Sequence, residues 1–67
     1  MLVKVKNRYT GVVKTYTVAN VEDAVVEAAM EEDGVTVAAF DYHEYYRALV
    51  IHSDDTVRLG EWTVVKE

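Results

Sequence analysis

The chain has 67 residues, 51% of them apolar, with no cysteine and a net charge of −5, which limits it to one small domain without disulfides or a thiolate metal site. Its apolar fraction and lack of proline exclude a disordered chain, and the alternating start Met1-Leu2-Val3-Lys4-Val5-Lys6 lacks the continuous apolar run of a signal peptide or membrane span, so a soluble, cytoplasmic protein is expected. Twelve acids against seven bases weigh against nonspecific binding to nucleic acid or to an anionic membrane.

Charge divides along the chain. Residues 1–20 hold Lys4, Lys6, Arg8 and Lys14 and no acid, whereas residues 21–67 hold all twelve acids against Arg47, Arg58 and Lys66. A dipolar molecule with a basic hairpin and an acidic remainder is expected. In that hairpin, Leu2 to Tyr9 and Val12 to Val18 alternate around Thr10-Gly11. A two-residue loop there would set Tyr9 opposite Val12, Val5 opposite Tyr16 and Val3 opposite Val18. One face would then be apolar and the other would carry Lys4, Lys6 and Arg8.

Asn20 is suited to cap a helix, with Asp23 at the third helical position and Glu22 near the positive end of the dipole. Gly34 suits the left-handed residue that ends it. Val21, Ala24, Val25, Ala28 and Ala29 share one face and form the expected buried stripe. Glu31, Glu32 and Asp33 lie at the negative end of the dipole, so the last turn is expected to fray.

Beyond Gly34 the pattern predicts strands over Val35 to Tyr42, Tyr45 to His52 and Thr56 to Val65, with Gly60 as a bulge or bend. The composition of Asp41 to Leu49 also admits a helix. The predicted architecture is α+β in the order β-β-α-β-β-β: one antiparallel sheet with a helix on one face. One helix cannot cover both apolar faces of the second half, so Phe40, Tyr42, Tyr45, Tyr46 and Leu49 form a candidate second interface, for instance in a homodimer.

No arrangement of residues specifies a reaction. His43 with Asp41 and Glu44, and His52 with Asp54 and Asp55, are metal-ligand types. On one strand, however, the two histidines would stand roughly 30 Å apart. Ser53 between His52 and Asp54 is not a triad, because sequence neighbours point apart. Neither catalysis, metal nor cofactor is expected.

The sharper pattern is acidic. Glu22, Asp23, Glu27, Glu31, Glu32 and Asp33 crowd the helix without a Lys or Arg among them, and like charges four apart, as at Asp23, Glu27 and Glu31, cost helix stability. Val26 and Met30, four apart on the presumed outer face, sit within this acidic ring as an expected contact spot for a basic protein surface. The reading is a protein-binding module, an acidic inhibitor or regulatory accessory of the kind common among viral and mobile-element products. Its carboxylates would mimic nucleic-acid phosphates and mask a nucleic-acid site on the partner. The alternative is a sheet that binds single strands, stacking bases on Tyr42, Tyr45 and Tyr46 and contacting phosphates with the hairpin cations.

Overall fold

Alternation of apolar and polar side chains decides the sheet. The computed structural model describes residues 1–35, 42–52 and 56–66. Among them, β1 (Leu2–Asn7), β2 (Val13–Thr17), β3 (Val50–Ile51), β4 (Val57–Leu59) and β5 (Trp62–Val64) form one antiparallel sheet in the order β2-β1-β5-β4-β3. The helix α1 (Val21–Asp33) packs on one face against β1, β2, β4 and β5, and α2 (Tyr42–Ala48) packs beside it against α1. The fold is α+β, as the sequence implies, with a second helix added. The expected strand over Val35 to Tyr42, and Phe40 within it, lies outside the described residues apart from its ends.

β1 buries Val3, Val5 and Asn7 beneath α1 and turns Leu2, Lys4 and Lys6 outward. The hairpin faces match the expected ones, but its register differs by two residues: Val3 stands opposite Tyr16, and Val5 opposite Lys14. A shift of two preserves every side chain's face, so the apolar pattern could not detect it. Asn7 is the cause. Its Oδ1 accepts from the backbone N–H groups of Tyr9 and Thr10 at 2.9 and 3.0 Å, and the Gly11 N–H donates to the Asn7 carbonyl at 3.0 Å. The loop is therefore Arg8 to Gly11, with Gly11 at φ +77° and Tyr9 in solvent.

The Asn7 side chain is 2% exposed, and its Nδ2 donates to Glu61 Oε2 at 2.9 Å, while the Arg8 N–H donates to the Glu61 carbonyl at 2.7 Å. One asparagine thereby ties the β1–β2 turn to the β4–β5 turn. That second turn replaces the single strand expected over Thr56 to Val65. The chain reverses at Gly60-Glu61, bringing Leu59 opposite Trp62, and Gly60 takes φ +57°, which a two-residue hairpin loop favours.

Residues Tyr45 to Ala48 are helical rather than extended. Tyr45 and Leu49, four apart, both pack on the core, so the governing period here is helical and not two.

Asn7→Ala should lower the unfolding free energy by about 1–3 kcal/mol in urea denaturation, since it orphans two turn N–H groups and strips Glu61 of its side-chain donor.

Candidate functional site

α1 begins as its sequence dictates. Asn20 is extended and its Oδ1 accepts from the Asp23 N–H at 3.0 Å. The C-terminus is a Schellman closure: Gly34 at φ +69° donates to the Glu31 carbonyl at 3.2 Å, and the Val35 N–H to the Met30 carbonyl at 3.0 Å. The helix extends through Asp33, including the last turn where fraying is expected. The acids at the dipole's negative end each gain a donor. Lys14 pairs with Glu31 at 3.0 Å, Trp62 Nε1–H donates to Glu32 Oε2 at 2.7 Å, and the Tyr45 hydroxyl donates to Asp33.

Val26 and Met30 correct the expected contact spot, for both are buried, Val26 at 0% exposure and Met30 at 5%. The helix row Asp23, Val26, Met30 and Asp33 faces α2, whose Tyr46 hydroxyl donates to Asp23 and whose Tyr45 hydroxyl donates to Asp33. The acids on either side of this buried pair are thus bonded to the chain's own second helix. The expected second interface is not an open sheet face either: Tyr45 and Leu49 are half-buried against the core and Tyr46 is bonded to α1. Tyr45 and Tyr46 also lie across the sheet from Lys4 and Lys6, so these two rings are not brought together with those cations, and the Tyr42 side chain lies outside what is described.

Among the described residues, Glu22 and Glu27 have no side-chain hydrogen bond or ion pair on the helical layer. Burial first, then the charges of Asp23 and Glu31, raise the pKa of Glu27. Lys14 lowers that of Glu31. The Tyr16 hydroxyl beneath them is buried with no partner in hydrogen-bonding geometry among the described residues. Burial and the nearby Glu31 carboxylate hold this phenol well above its ordinary range. The Tyr45 phenol is pushed up to about 12, chiefly by its hydrogen bond to Asp33.

Where α1 ends, a cleft of about 260 Å³ opens against the β4–β5 turn, lined by Glu32, Asp33 and Glu61 with Tyr45, Leu59 and Trp62. A shallower groove continues past Glu44 and Ala48. No Lys or Arg is among the described residues that line either one. Glu32, Asp33 and Glu61 each accept from a neutral donor, Trp62, Tyr45 and Asn7 respectively, so their hydrogen bonds orient the carboxylates without neutralising them. Sequence reasoning singled out Asp33 and Tyr45 as interface residues and weighed Glu44 only as a metal-ligand type beside His43, and it passed over Glu61 and Trp62; these residues reach the cleft from α2 and the β4–β5 hairpin and share no spacing that a linear pattern could show.

His43 on α2 and His52 after β3 are both exposed, and Asp41, Ser53, Asp54 and Asp55 lie outside the described residues. Among the described residues no three metal-ligating side chains gather, and no helix is long and apolar enough to cross a membrane. No family model, curated protein or solved structure matches this chain.

Two pH-dependent outcomes follow from these environments. A carboxyl with a raised folded pKa penalises the fold once ionised, and the penalty disappears below its unfolded pKa. Glu27→Gln should therefore raise Tm at neutral pH, by roughly 2–4 °C for about 0.5 kcal/mol of relieved like-charge repulsion. The gain should vanish when thermal melts are repeated in acid. Tyr45 stabilises the fold fully below its unfolded pKa near 10, and that contribution is lost as pH rises through about 12. Absorbance titration should show two phenols ionising late, Tyr16 and Tyr45, and Tyr45→Phe should remove the step near 12 while leaving that of Tyr16.

Proposed function

We propose that this chain is a non-enzymatic binding module, an inhibitor or regulatory accessory whose anionic helical layer docks on the basic surface of a cytoplasmic protein. The observation that carries this reading is the cleft at the end of α1, where Glu32, Asp33 and Glu61 stand beside Tyr45 and Trp62, and no Lys or Arg is among the described residues that line it, Lys14 lying over the Trp62 ring at 5.1 Å outside the lining. Carboxylates backed by aromatic rings and an apolar floor suit a lysine or arginine side chain, which gains ion pairing at its head and packing along its stem. The half-buried Glu22 and Glu27, with the exposed Glu44 at the groove, extend the negative field outward, where it speeds encounter with a cationic surface and disfavours acidic partners.

The contact is thus displaced from the place the linear pattern suggested. With Val26 and Met30 buried, α1 offers no apolar centre, and contact falls to the half-buried Tyr45 and the carboxylates of the cleft, over a floor of the buried Leu59 and Trp62. Masking of a partner's nucleic-acid site is the natural consequence if the basic surface covered is one that binds phosphates.

Trp62 is the only tryptophan of the chain and sits in the cleft, so its fluorescence reports occupancy. Titration with a lysine- and arginine-rich peptide at low ionic strength should change that emission. A glutamate-rich peptide should not, and Glu44→Lys should weaken the response several-fold with the circular dichroism spectrum unchanged. A wild-type protein indifferent to the basic peptide, or a variant equal to it, refutes the assignment.

A further inference from the structure

The sheet face turned away from the helices carries a pattern of its own. Val13, Lys6, Thr63, Arg58 and Val50 stand in register as one row across all five strands. Thr15, Lys4 and Val65 form a second row beside it. At roughly 4.8 Å per strand spacing, Lys6 and Arg58 stand about 10 Å apart with Thr63 between them. Lys6 is exposed, and Arg58 is half-exposed between the inward Val57 and Leu59. Among the described residues no acid projects from these rows, because α1 and its carboxylates occupy the opposite face.

We infer that this open sheet face binds the phosphate backbone of duplex nucleic acid, with Lys6 and Arg58 as phosphate contacts and the Thr63 and Thr15 hydroxyls as further donors. Cations and hydroxyls are what phosphate oxygens accept from. The rows contain no aromatic ring, so unpaired bases find no stacking platform, which favours a duplex over a single strand. A second copy seated face to face by two-fold symmetry would oppose Lys6 and Arg58 to their own kind without a carboxylate to relieve them. The net charge of −5 argues against nucleic acid only when spread evenly. Here the anionic groups of α1 lie behind the sheet, so a duplex laid on the open face meets Lys6 and Arg58 at contact distance and the carboxylates only across the thickness of the domain. The surface shares no residue with the acidic cleft, so either assignment can fail alone.

Fluorescence anisotropy of a labelled short DNA duplex tests this directly. Binding at low salt is expected, with log K falling against log salt at a slope of roughly −2 to −3, as two or three phosphate contacts require. Lys6→Glu combined with Arg58→Glu should weaken it at least tenfold while Glu44→Lys does not weaken it. Lys6→Gln with Arg58→Gln provides a milder pair should charge reversal unfold the sheet. Absence of salt-dependent binding by the wild type, equal binding by the folded double variants, or tighter binding of the matching single strand or of polyglutamate overturns the inference.

Discussion

Burial of α1 is the constraint on which everything else in this molecule rests. A 67-residue chain without disulfides has one core, and here it is a single helix laid across four strands, with Ala24, Val25, Val26, Ala28, Ala29 and Met30 all removed from water. Small alanines bring the helix axis close to the sheet, and Val26 and Met30 require cover on a second side, which α2 helps to provide. A helix buried over so much of its circumference can keep its charges only along what remains, and the acidic strip is the residue of that geometry.

The carboxylates then take on structural work. Asp23 and Asp33 receive tyrosine hydroxyls from α2, Glu32 receives the indole N–H of β5, and Glu31 receives the ammonium of β2. Only the last neutralises a charge. The others hold elements together by accepting from neutral donors, so the layer is cross-braced and still strongly anionic. Lys14 has a second role, since its ammonium also lies 5.1 Å above the Trp62 ring and joins the β2 edge to the middle of the sheet.

Packing also sorts the charge. In sequence the cations gather at the start and the acids follow, yet it is the pleat of β1 that sends Lys4 and Lys6 outward while Val3, Val5 and Asn7 go inward. The hairpin β4–β5 then adds Arg58 to the same outward face from the far end of the chain. The molecule has two faces of opposite sign with a hydrophobic layer between them. That separation gives a small protein of modest net charge two electrically distinct surfaces.

The α+β class, the hairpin faces, the extent of α1 and both of its caps could be read from residues alone, because Asn20, Gly34 and the alternation of β1 act through local backbone chemistry and period. The hairpin register could not. A two-residue slip leaves every face unchanged, and the buried Asn7 that selects the loop bonds to Glu61, far away in sequence. Nor could the fate of Val26 and Met30, whose burial depends on a helix formed later in the chain, or the cleft, whose walls come from three separate elements. Periodicity determines which side of an element is apolar; only the tertiary structure decides what covers it, because the covering surfaces come from segments whose spacing no local pattern records.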